Sequence, residues 1–160
     1  MLGFEQMIVR LLIALSLGAL VGLERNLAGK EAGMRTEMLI SGGASLFTII
    51  ALALPYLAAP SPEFVPQAVL NGTFVSVIAN IVVGIGFLGA GIIIQTREHV
   101  RGLTTAAAVW ATAAIGILAG LGLWQFGLAA TLIIVVLLYL SRKLEVEEML
   151  TQKTRDGFSQ

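Results

Sequence analysis

The side chains able to do chemistry in this chain are few, and they fall in two groups. Glu24, Arg25, Arg35, Thr36, Arg101, Thr104 and Thr105 stand where long apolar runs begin or end. A carboxylate and guanidiniums in such places can pair and build a polar gate or binding site, or they can act as ordinary charged anchors flanking the runs. Glu24 has Arg35 or Arg101 as its expected partner, because an ion left unpaired at a membrane boundary is costly. Thr104 or Thr105 is placed to cap a following helix through its hydroxyl. The second group, Arg10 and Asn80, lies inside apolar runs. Arg10 is a few residues from the end of its run and is expected to snorkel to the interface. Asn80 shares a helical face with Ser76 and Gly84, and is expected to hydrogen-bond a neighbouring helix or, second, to line a polar cavity.

Other kinds of chemistry lack their residues. There is no Cys, so disulfides, thiol redox steps and thiolate-bound metals are excluded. His99 is the single histidine and sits in a loop, with no HxxxH and no serine placed to use it. No pair of carboxylates falls within an apolar run. An enzyme is therefore not expected, nor is a cofactor, while metal binding stays open. Proton relays and dehydrated divalent sites usually need buried acids, and none is evident, which favours a membrane regulator over a transporter or channel.

The elements that must position these residues are hydrophobic. Of 160 residues, 57% are hydrophobic and 12% charged, and the mean hydropathy is +0.90. No charge occurs in 38–62, 64–95 or 102–141. Runs of about 20 apolar residues cross a hydrocarbon core roughly 30 Å thick. Five spans are predicted at 7–23, 38–58, 68–94, 103–121 and 122–140, giving an all-α polytopic bundle: one transmembrane domain over 1–141 and a short cytoplasmic tail over 142–160. With 10 basic and 10 acidic residues the chain carries no net charge, and nucleic acid is not an expected partner. The partner is membrane lipid.

Basic residues set the orientation. Arg25, Lys30 and Arg35 lie in the first loop, Arg97 and Arg101 in the third, and Arg142, Lys143, Lys153 and Arg155 in the tail. The second and fourth loops have none. The positive-inside rule then puts the N-terminus outside and the C-terminus in the cytoplasm.

Glycine fills the spans. Gly84, Gly86 and Gly89 match the GxGxxG dinucleotide fingerprint, but the match lies within a span, with no preceding strand and with Thr at position 104. Packing explains it better. Gly18 and Gly22, Gly86 and Ala90, and Gly116 and Gly120 form small-xxx-small pairs, and Gly91 extends the third-span run; such faces let helix backbones approach closely. Self-association as a homodimer through the Gly18–Gly22 or Gly116–Gly120 face is a further expectation.

Four ordered motifs carry a family resemblance: GLER at 22–25, GMRT at 33–36, GIGFLGAG at 84–91, and RGLTTAA at 101–107 followed by Trp110. Together they resemble the MgtC/SapB family of bacterial inner-membrane proteins, from Arg10 to Tyr139. The resemblance implies a hydrophobic domain of about five spans. It also implies an association with magnesium homeostasis and stress adaptation: growth under magnesium limitation, survival in phagocytes and acid stress. Transport of Mg²⁺ and modulation of the F-type ATP synthase are rival accounts of that association. Longer members carry a soluble domain after the last span; with a short tail after Leu140, this chain resembles the compact SapB-like members. Val83 stands where the family motif usually has a polar residue.

Overall fold

The computed structural model describes residues 2–58, 72–95 and 99–157, with side chains through residue 144. Among the described residues, five helices and one small β-ribbon follow one another: α1 (Phe4–Leu27), α2 (Met34–Ala58), α3 (Thr73–Ile92), β1 (Ile94–Gln95), β2 (Val100–Arg101), α4 (Leu103–Leu121) and α5 (Trp124–Gly157). Each helix contains a stretch long and apolar enough to cross a membrane. The five predicted spans correspond to these helices, with α1 and α2 each beginning a few residues earlier. Positions 68–71 of the predicted third span, together with Glu63 and Arg97, lie outside the described residues. Beyond the predicted span, α5 continues as one helix to Gly157, 34 residues in all, or about 50 Å at 1.5 Å per residue.

Helix α2 is the centre of the bundle, held between α1 and α4, while α3 leans on α2 and α4 and α5 on α1 and α4. The α1–α2 turn and the β-ribbon joining α3 to α4 meet at one end, since residues of both line one cavity. In the ribbon, Ile94 pairs with Arg101 and Gln95 with Val100 in antiparallel register. The apolar core is Leu17, Val21, Ala108, Ile115 and Leu138, with Ile13, Ile134 and Val135 against it.

Backbone contact explains the glycines of α1 and α4. A Cβ on Gly22 would strike the Met34 backbone, and one on Gly116 would strike the Ser41 carbonyl. Gly18 likewise faces the Glu37 carbonyl and Ser41, and Gly120 faces Ser45 and Thr48. These are the two faces expected to hold a second copy; instead they grip α2 of the same chain. The third-span glycines behave differently. A Cβ on Gly84, Gly86 or Gly91 would meet nothing within 4 Å, and one on Gly89 would make only an ordinary contact with Ala106 at 3.7 Å. Among the described residues, the expected packing role is filled at Gly89 and not at Gly84, Gly86 or Gly91.

Arg10 reaches the end of α4. Its Nη1 donates to the Gly120 carbonyl at 2.7 Å, so a cation sits on an orphan acceptor at the C-terminus of α4, where the helix dipole favours it.

Candidate functional site

The seam where α1, α2 and α4 grip one another is apolar by expectation and polar in fact. Along α2, Glu37, Ser41, Ser45 and Thr48 recur at helical spacing and are all 0% exposed. Thr112 of α4 is fully buried too, and Glu24 and Arg25 close the seam from α1. Close approach at Gly18, Gly22, Gly116 and Gly120 keeps these groups from water.

Few of these atoms are satisfied. Arg25 Nη1 donates to Glu24 Oε2 at 3.3 Å, and Thr48 donates to the Ala44 carbonyl at 2.8 Å. Glu24 Oε1, Arg25 Nε and Nη2, both Glu37 oxygens and the hydroxyls of Ser41, Ser45 and Thr112 are buried without a hydrogen-bond partner. Such groups are rare in folded proteins and cost free energy when left alone. With all three ionised, Glu24, Arg25 and Glu37 leave one surplus negative charge. Chemically these oxygen atoms are of the kind that accept a proton or ligate a small cation. Among the described residues, no group of three or more His, Cys, Asp or Glu side chains could hold a metal ion.

The expected polar cluster therefore divides in three. Glu24 and Arg25 lie in the seam and pair with each other, so Glu24 does not take Arg35 or Arg101. Both of those arginines are exposed. Arg35 and Thr36 stand on a lateral groove of about 780 Å³ between α2 and α3, where Asn80 and Gly84 also lie. Arg101, Thr104 and Thr105 line a cavity at the end of the bundle. Helical rotation is the cause: Arg35 and Glu37 are two residues apart, so they leave α2 on nearly opposite sides.

Two smaller expectations also change. Neither Thr104 nor Thr105 caps α4, whose N-cap is Gly102 in the left-handed region at φ 86° with no side-chain bond. Asn80 is exposed on α3 and, among the described residues, has no hydrogen-bond partner; it lines the groove. A cap does occur elsewhere: Asn26 Oδ1 accepts the Met34 N–H at 3.3 Å at the start of α2. A Cβ on Gly33 would collide with that oxygen, which explains the glycine of GMRT.

Glu37 is the residue that sequence reading missed, and it overturns the expected absence of buried acids. Its signal was the polar series 37, 41, 45 and 48, one stripe of α2.

Five apolar helices around a buried ionic seam define a multi-pass membrane protein. The chain belongs to the MgtC family, whose pattern matches residues 11–147. It is 42% identical over 130 residues to Protein SrpB of Synechococcus elongatus, covering 76% of this chain and 67% of that one. It is 42% identical over 127 residues to Protein MgtC of Salmonella typhimurium, covering 79% of this chain and 48% of the relative. A third relative, 33% identical over 140 residues, is YhiD of Escherichia coli K12, named as a candidate magnesium transporter; 83% of this chain and 59% of YhiD are covered. The chain thus spans about half the length of the MgtC relatives. No solved structure matches it.

Proposed function

We propose that this chain is a bacterial inner-membrane protein of magnesium homeostasis and stress adaptation that acts as a regulator, by helix contact with another membrane protein. The observation that carries this reading is α3, of whose apolar window only 6% is buried. Its glycines at 84, 86 and 91 open onto space, and small residues of this kind are what a partner helix packs against. The magnesium connection rests on the family and on the name of YhiD. The F-type ATP synthase and a second copy of this chain are the candidate partners, and no catalytic step is part of the reading. The N-terminus lies outside and the C-terminus in the cytoplasm, because Arg25, Lys30, Arg35, Arg101, Arg142 and Lys143 belong to the cytoplasmic end.

Complementation of a deletion strain at low Mg²⁺ tests this. Gly86→Leu should insert and fold as the parent does, yet lose complementation and crosslinking of α3 to its partner. Full complementation by Gly86→Leu would refute the helix-contact reading. Orientation is checked with single cysteines: Gln125→Cys should react with an impermeant thiol reagent from outside, and Lys30→Cys only after permeabilisation.

One observation favours a second reading, cation transport. Glu37 and the unpaired hydroxyls around it supply the buried acid and oxygen atoms that a path through the membrane needs. Purified chain in liposomes would then pass Mg²⁺ or another cation, and Glu37→Gln would abolish the flux. No flux from the parent would leave the regulator.

A further inference from the structure

At the end of the bundle that holds both the α1–α2 turn and the β-ribbon, a cavity of about 900 Å³ opens. Lys30 and Glu31 line it from the turn, His99 and Arg101 from the ribbon, and Thr104 and Thr105 from the first turn of α4. The first backbone bond of α4 runs from the Ala106 N–H to the Gly102 carbonyl at 2.8 Å. The N–H groups of Leu103, Thr104 and Thr105 therefore have no acceptor among the described residues, as at any uncapped helix start. Glycine at position 102 is obligatory: its φ is positive, and an added Cβ would meet the Ile92 carbonyl. No side chain is present there to cap the helix instead.

Thr105 points independently to a ligand. Its side chain is buried, at 6% exposure, yet among the described residues its hydroxyl has no hydrogen-bond partner. Ser41, Ser45 and Thr112 of the buried seam are also unpartnered, whereas several other helical hydroxyls bond the carbonyl four residues back: Ser16 to Leu12, Thr48 to Ala44, Thr131 to Gly127 and Ser141 to Leu137. Four residues before Thr105 is Arg101, which belongs to the ribbon and not to a helix. The residue lines the cavity, and no described residue takes its hydroxyl as a partner.

The cavity thus gathers three backbone N–H groups at the positive end of a 19-residue helix, a buried hydroxyl, a guanidinium and an ammonium. Glu31 is the one acid among its lining residues. Donors converging from several directions suit an anion with several acceptor oxygens. Ile92, Ile94, Val100 and Leu103 add apolar wall for an organic portion. We propose that this cavity binds a phosphoryl group, carried either by a soluble phosphate compound or by a phospholipid headgroup. The site is separate from the buried seam and from the exposed face of α3.

Full-length protein in a phosphate-free maltoside detergent tests the proposal. One arm titrates inorganic phosphate by calorimetry; the other adds phosphatidylglycerol, with diacylglycerol as the phosphate-free control. Saturable binding in either arm, weakened about tenfold by Thr105→Val or Arg101→Gln through loss of a charge-assisted hydrogen bond, supports the proposal. Glu31→Gln should tighten binding. Response to inorganic phosphate identifies a soluble ligand, and response to the lipid alone identifies a headgroup. Absence of saturable binding in both arms overturns the site, as does parental affinity in both weakening variants. Arg101 is exposed, so Arg101→Gln keeps the test valid should Thr105→Val fold poorly.

Discussion

Two glycine-rich regions of this bundle carry the same local signal and end in opposite states. In α1 and α4, glycines four apart are closed by the backbone of α2, and each missing Cβ corresponds to an atom of Glu37, Ser41, Ser45, Thr48 or Met34. In α3, Gly86 of the Gly86–Ala90 pair faces open space, as do Gly84 and Gly91. The contrast shows that a small-xxx-small pattern reports a capacity for close approach, and that the partner is decided elsewhere. In the first region the partner is α2, which brings polar groups into the contact. In the second no partner lies within the described chain.

The largest effect is expected at the closed region. Gly116→Leu drives a side chain into the Ser41 backbone, and neither helix can shift without opening the seam; the variant should yield no monodisperse protein on size-exclusion chromatography. Next is Arg25→Ala, which leaves Glu24 buried beside unpaired acceptors. Breaking a buried pair from one side costs about 3–5 kcal/mol, read as a large fall in the thermal midpoint in detergent. Arg10→Ala removes the cation from the end of α4 and should cost about 1–2 kcal/mol, a smaller fall by the same measurement. Gly91→Leu, on the open face of α3, should stay within about 0.5 kcal/mol of the parent. A destabilisation there as large as that of Arg25→Ala would erase the distinction between the two regions.

Much of the architecture was legible because it depends on composition and length. Apolar runs bounded by charges located all five helices, and the basic loops place Lys30 and Arg101 at the same end. The site was less legible, for a geometric reason. Charges next to a span read as boundary anchors, but which side of the helix they leave by is set by rotation about its axis. Arg35 and Glu37 are neighbours in GMRTE and part company in space, one to a lateral groove and one to the seam. The stripe of Glu37, Ser41, Ser45 and Thr48 was visible as a period. It lacked meaning until the glycines opposite it were known to touch α2. Glu24 was read as needing a remote arginine, whereas the adjacent Arg25 is buried with it.

The bond from Arg10 to the Gly120 carbonyl joins groups 110 residues apart, and that separation is also an interval of time. Translation proceeds at about 5–20 residues per second, so Arg10 is synthesised roughly 5–20 s before its acceptor. During that interval the guanidinium has no protein partner and must be solvated at the membrane edge. Arrival of α4 supplies its acceptor, so the bond tying the first helix to the end of the fourth closes only once the fourth is in place.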